Sequence, residues 1–179
     1  MNLNVSKEEA ERLIALYFNA YPGVQKYVTE SHLQAEWNQY VITPFGQRKR
    51  QYGTFPAFKG TAAYNASLRN AQNVRVQSTT STAGLITFAA ANEGIKKYDS
   101  KSICTVYDSA EFEVPLSRAA EVVEQVFYYF DDWPVETFDW LTLPIGTEVE
   151  VGTNWGNGVT VHRGVTQEKI EGIINGLQR

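Results

Sequence analysis

Apolar positions recur at helical spacing near both ends of the chain and alternate in two short stretches between them. Ala10, Leu13, Ile14, Tyr17 and Phe18 share one face of a helix, so the pattern predicts a buried side. Ser6 and Glu9 open that helix as an S-x-x-E capping box, in which each side chain satisfies the other's free backbone N–H. Pro22-Gly23 breaks it, and Val24, Tyr27, Val28, Ser31 and Ala35 predict a second helix ending near Asn38. Tyr40 to Thr43 is β-prone, Pro44-Phe45-Gly46 has turn chemistry, and Gln47 to Tyr52 returns as a strand, which together predict a hairpin. Phe55 to Gly60 reads as loop. Thr61 to Lys97 is helix-compatible except at Gln77-Ser78-Thr79-Thr80-Ser81-Thr82, so two helices or one bent helix are expected.

Further along, Ile103–Tyr107 and Ala110–Val114 are β-prone runs flanking Asp108-Ser109, a second hairpin candidate. Ser117 is the expected N-cap of a helix with Val122, Val123, Val126, Phe127 and Phe130 inward. The stretch DDWPVETFDWLTLPIG is aromatic, broken by proline and without a clear period. TEVEV alternates as a strand, and Val159–His162 predicts a shorter one. Thr166 caps a last helix, with Val165 and Ile170 spaced as a hydrophobic staple. Its stripe of Ile170, Ile173, Ile174 and Leu177 suits either a core or a docking surface. Helices first, then hairpin, helix and strand, argue for an α+β fold with antiparallel pairing.

Composition narrows the classes. At 179 residues, 43% of them hydrophobic, the chain has the length and apolar content of one ordinary domain. A single cysteine, Cys104, excludes an internal disulfide and suits a reducing cytosol. His32 and His162 are far apart and lack ligand spacing, which argues against a Cys/His zinc site. Neither a signal core nor a membrane span is visible, so a cytoplasmic location is expected. The net charge of −4 conceals an asymmetry: residues 1–101 carry twelve Lys/Arg against seven Asp/Glu, and residues 102–179 carry four against thirteen. That division suits phosphate on one surface and metal ions or protein on another, and also ordinary surface charge.

Three groups carry candidate chemistry. Asp108, at a hairpin tip, is a hard oxygen ligand of the kind Mg²⁺ takes in two-metal phosphoryl transfer; Asp-Ser is equally good turn chemistry. A partner acid is needed, because one carboxylate does not hold two metals. Arg69, Asn73 and Gln77, four residues apart, project from one helical face. Their donors suit minor-groove acceptors present at every base pair, and a solvated polar face has the same spacing. Arg48, Lys49 and Arg50 sit on the second arm of the first hairpin, where Arg48 and Arg50 share one side and Lys49 takes the other. Phosphate contacts from such a ribbon would be independent of sequence and sensitive to salt.

The order of these signals carries a resemblance. LNVSKEEAERLIALYFNAYPGVQKYV resembles the segment after the nucleotide-binding helix of family A DNA polymerases, the bacterial DNA polymerase I group and its phage relatives, with their acidic EEA helix and Y-F-x-x-Y/F-P-x-V. YVITPFGQRKR is similar to the family's Y-V-x-T-x-F-G-R-R-R, and RNAQNVRVQSTTSTAGLI to R-x-x-x-N-x-P-V-Q-G-T-A-A-D-L-I. TVYDSAEFEVP stands where the family has V-H-D-E-x-x-x-E-x-P, and TEVEVGTNW matches V-E-V-G-x-x-W. The similar blocks are collinear across residues 3–155.

The resemblance implies a partial polymerase palm: an antiparallel sheet whose motif C hairpin packs against helices. Residues 1–156 would be the C-terminal fingers/palm segment, and 157–179 an extension with an amphipathic helix. Asp108 would be the catalytic, metal-binding aspartate. Arg69, Asn73, Gln77, Tyr107, Arg48, Lys49 and Arg50 would contact primer-template DNA. Mg²⁺ and dNTP would complete a DNA-directed DNA polymerase, together with a second polypeptide carrying motif A and the fingers helix, as in a split phage enzyme or a shortened chain. By itself the chain would be inactive, and in a phage setting it would act in the host cytoplasm. Departures are Tyr107 for the motif C histidine, Ser109 for the adjacent glutamate, Gln47 for the first arginine of the basic run, Arg75 for the proline before V-Q and Ser78 for the following glycine. Tyr107 and Ser109 favour an alternative, a non-catalytic DNA-binding or assembly module derived from a palm; an unrelated α+β domain is the third reading.

Overall fold

The structure, a computed structural model, describes residues 5–178. Leu3 and Asn4, which open the resembling run, lie outside them. Two compact units divide between Thr80 and Ser81.

The first unit begins with helices α1 (Lys7–Ala20) and α2 (Pro22–Asn38), with Pro22 in the first turn of α2, where its missing N–H costs nothing. Ser6 caps α1 by accepting the Glu9 N–H at 3.2 Å. The reciprocal half of the expected box gives way to a local ion pair. Arg12 donates to both Glu9 oxygens at 2.8 and 2.9 Å, holding that carboxyl below its ordinary pKa. The expected buried face is also corrected: no residue of α1 is buried, and Leu13, Ile14 and Tyr17 are 42, 55 and 50% exposed. Periodicity marks an amphipathic helix, and nothing among the described residues encloses this one.

Strands β1 (Tyr40–Ile42) and β2 (Arg48–Arg50) form the expected ribbon, pairing Tyr40 with Arg50, Val41 with Lys49 and Ile42 with Arg48. Its turn needs Gly46, whose φ of +74° disfavours any side chain. Val41, Ala35 and Ala71 are fully buried together, with Leu68 and Val74 against them. Helix α3 (Ala62–Ile95) starts in this unit and shows no break at the Ser/Thr run. Instead Thr79 and Thr80 donate their hydroxyls to the carbonyls of Arg75 and Val76 at 2.7 and 2.8 Å, which occupies side chains that would otherwise compete with the helix.

The second unit holds the end of α3 and strands β3 (Lys101–Val106) and β4 (Ser109–Glu113), joined by two residues and bulged between Ser102 and Cys104. Next come α4 (Ala119–Phe127), a π-turn over Tyr128–Asp132, and α5 (Trp133–Thr137). The chain closes with β5 (Val149–Val151), β6 (Val159–Val161) and α6 (Gln167–Leu177). Ser117 is not the cap of α4; it lies in a 3-10 turn, and Gln167 of α6 accepts the Ala120 N–H at 3.1 Å. Thr166 does cap α6, accepting the Lys169 N–H. Ile170 and Ile174 bury against Ala119, Val123, Phe127 and Val161, so the α6 stripe forms core. A neighbouring cluster joins Ile95, Val122 and Val126, with Phe112 of β4 packed on it. The fold is mixed helix and strand, as expected. Among the described residues the expected sheet is instead three separate two-stranded antiparallel ribbons, because β1–β2, β3–β4 and β5–β6 each pair only with themselves.

Candidate functional site

In the first unit, Arg69, Asn73 and Gln77 stand together, all exposed, on one side of α3. The other side of the same turns is tied down. Ala71 is buried, Tyr27 of α2 donates its hydroxyl to the Gln72 carbonyl at 2.8 Å, and His32 Nε2 meets Gln72 Oε1 at 3.2 Å. Tyr64, one end of the same seam, donates to Glu36, whose carboxylate pushes the phenol pKa up.

The basic ribbon is tethered to the same helix. Gln51, 2% exposed, accepts from Asn70 Nδ2 at 3.1 Å, and its own N–H donates to the Gln39 carbonyl at 2.7 Å. Arg50 and Arg69 are the chain neighbours of that bonded pair, so the basic arm ends beside the turn that carries Arg69. Arg48 and Arg50 are exposed, whereas Lys49 is half-buried opposite Val41. The Arg48 guanidinium carbon lies 5.2 Å from the Tyr40 ring centroid, which limits its rotamers at little cost to its charge.

In the second unit the tip of β3–β4 is Tyr107-Asp108, one residue earlier than the Asp108-Ser109 expected, since Val106 pairs with Ser109. Ser109 closes the turn by donating its hydroxyl to the Val106 carbonyl at 3.1 Å. Tyr107 has φ of +55° and is fully exposed; a left-handed tyrosine costs about 1–3 kcal/mol, which the paired strands sustain. Asp108 is exposed. The ribbon beneath is anchored by Phe112, whose ring lies 5.7 Å from Phe88 and 6.3 Å from Phe130, and its two strands are joined at the base by the exposed 3.0 Å Lys101–Glu113 ion pair. Glu111 and Glu113 share the strand face opposite Phe112, further down the ribbon. The donor chemistry of Asp108 fits one ligand position of a hard divalent cation. Among the described residues, no three His, Cys, Asp or Glu side chains cluster as a metal cage.

A family model described as DNA polymerase family A matches residues 1–157. The chain belongs to DNA polymerase family A. It is 27% identical over 157 residues to DNA polymerase I of Treponema pallidum, an alignment covering 87% of this chain and 15% of that protein. With the DNA polymerase of Bacillus phage SP01 it shares 27% identity over 178 residues, 96% of this chain and 19% of the phage protein. Among solved structures, the POL domain of Pol1 from M. smegmatis, in complex with DNA primer-template and dNTP, superposes with a TM-score of 0.61. That match has 24% identity and covers 70% of this chain and 22% of the other, so it speaks to fold. The family A relatives are thus several times longer than this chain. Among the described residues no helix is long and apolar enough to cross a membrane.

Of the residues that sequence reasoning singled out in this family A chain, all but Lys49 are exposed, and the residues that hold them were missed. Gln51, Tyr64 and Gln72 read as ordinary polar positions. For Tyr64 and Gln72 the available signal was spacing: both fall near the buried side of α3, where an unpaired polar group is costly.

Proposed function

We propose that this chain supplies one metal-binding carboxylate and the primer-template contacts of a DNA-directed DNA polymerase that adds dNTPs. The observation that supports this most is Asp108 at the solvent-exposed tip of a ribbon anchored by Phe112. Mg²⁺ held there supplies Lewis acidity toward the primer 3′-hydroxyl and charge neutralisation at the α-phosphate. Asp108 contributes one oxygen ligand. Arg69, Asn73 and Gln77 donate to minor-groove acceptors near the growing end, where they sense the shape of a base pair. The Tyr107 hydroxyl donates to an acceptor at the primer terminus. Arg48, Lys49 and Arg50 engage phosphates without reading sequence. A second carboxylate and the groups that bind the triphosphate come from polypeptide beyond the described residues, a motif A segment and a fingers helix carried by this or another chain. Such chemistry belongs where DNA is replicated, in the cytoplasm of a bacterium or an infected host.

Primer extension tests this. The 179-residue chain by itself should add no nucleotide, and mixing it with a polypeptide that carries motif A and the fingers helix should give extension that Asp108→Ala abolishes. Normal extension by that variant overturns the metal role. A non-catalytic bracing module is the second reading, favoured by Ser109, whose hydroxyl closes the turn and leaves Asp108 without an acidic neighbour at the tip. Divalent-metal titration of the assembled complex, watching whether Asp108 binds Mn²⁺, separates the two.

A further inference from the structure

Arg75 stands where the family pattern has a proline, and the structure gives it partners inside the first unit. Its Nη1 donates at 3.3 Å to the Oγ of Ser31, which is fully buried. Its guanidinium carbon lies 5.2 Å from the Tyr27 ring centroid. Tyr27 in turn donates to the Gln72 carbonyl, Gln72 meets His32, and Tyr64 donates to Glu36. These pairings run in opposite order along α2 and α3, so the helices are antiparallel and joined by a seam of polar contacts around Ala35 and Ala71.

Two buried alanines set the distance between helices but not their rotation, because apolar contact is non-directional. Hydrogen bonds and cation–π contacts are directional. On a helix about 10–12 Å across with its side chains, a rotation of about 20° moves a tip by about 2 Å, enough to break a hydrogen bond. At about 100° per residue, Asn73 and Gln77 stand about 160° from Arg75, and Arg69 about 120°. The clamp is therefore at the back of the face that Arg69, Asn73 and Gln77 present.

We propose that Arg75 is a positioning residue: it locks the back of α3 to Tyr27 and Ser31 of α2, and so sets the angle at which Arg69, Asn73 and Gln77 meet a primer-template duplex, without itself touching phosphate. The proposal rests on the DNA-contact role of that face. It is tested by fluorescence anisotropy of a labelled duplex with a recessed 3′ end, titrated across a salt series with the full chain, Arg75→Met, Arg75→Lys and Arg69→Ala. Circular dichroism at the assay temperature reports folding. Arg75→Met should weaken binding about tenfold with the slope of log K against log[salt] unchanged and the helix signal intact. Arg75→Lys keeps a cation over Tyr27 and a donor for Ser31, and should restore most of the affinity. A slope lower by about one for Arg75→Met would mean a direct phosphate contact and overturn the proposal. If Arg69→Ala weakens binding and Arg75→Met does not, the DNA face stands and the positioning role falls. If neither does, the DNA-contact role fails with it. Should Arg75→Met not fold, Ser31→Ala takes its place: weaker binding at unchanged slope is expected, and unchanged affinity overturns the proposal.

Discussion

Arg48→Ala removes one of two guanidinium groups that β2 presents on a single exposed side. Arg48 and Arg50 are two strand residues apart, about 6.6 Å, so each can neutralise a phosphate of its own. One neutralised phosphate contributes about 0.9 to the slope of log K against log[salt]. Raising salt from about 50 mM to about 200 mM should therefore shrink the affinity advantage of the wild type over Arg48→Ala about 3.5-fold. The cost to folding is small, because the lost contact with Tyr40 is at an exposed site and worth about 0.5–1 kcal/mol. Arg48→Lys keeps the charge and should keep the slope. Anisotropy titrations of a labelled primer-template across the salt series read both numbers. Identical slopes for the wild type and Arg48→Ala would refute the phosphate contact.

Ile170, 1% exposed at the centre of the second unit's larger cluster, should cost about 2–5 kcal/mol when cut to alanine, read from urea unfolding; a loss under about 1 kcal/mol would contradict its core role. Gly94→Ala places a Cβ 2.2 Å from the Tyr129 ring, so it should destabilise by about 1–3 kcal/mol even though alanine favours helix, and a stabilised variant would contradict that packing. Tyr64→Phe tests the Glu36 contact through pH. The folded-state phenol pKa is raised above its ordinary 10.0, so its contribution is full below that value and lost as pH rises through the folded pKa. The variant should unfold more easily than the wild type at neutral pH, and the gap should close in strong alkali; a gap constant with pH counts against the contact.

The elements that were legible in the sequence are those whose local chemistry agrees with their packing. The break between α1 and α2 at Pro22, Gly46 in the first ribbon and Thr166 with the Ile170 stripe in α6 are such cases. Where local chemistry and tertiary contacts diverge, sequence reasoning erred in identifiable ways. The Ser/Thr run suggested a break in α3, and the i−4 hydroxyl bonds of Thr79 and Thr80 absorb it. Ser117 looks like a cap, and Gln167, far along the chain, does that work. Of the candidate site, the residues singled out in the sequence stand out by type and combination, and all but Lys49 are exposed in the structure. Their supports were not legible, because Gln51 meeting Asn70 and Ser31 meeting Arg75 are pairings across long separations that no local pattern encodes.

The claim on which the polymerase role turns is that Asp108 binds a divalent cation. Mn²⁺ titrated into the ¹⁵N-labelled chain, assembled on primer-template with the polypeptide that carries motif A and the fingers helix, reports this through paramagnetic broadening of nearby amides. Broadening should centre on Tyr107, Asp108 and Ser109 and disappear in Asp108→Ala. Equal broadening in both proteins, or none at the tip of the wild type, would contradict that claim.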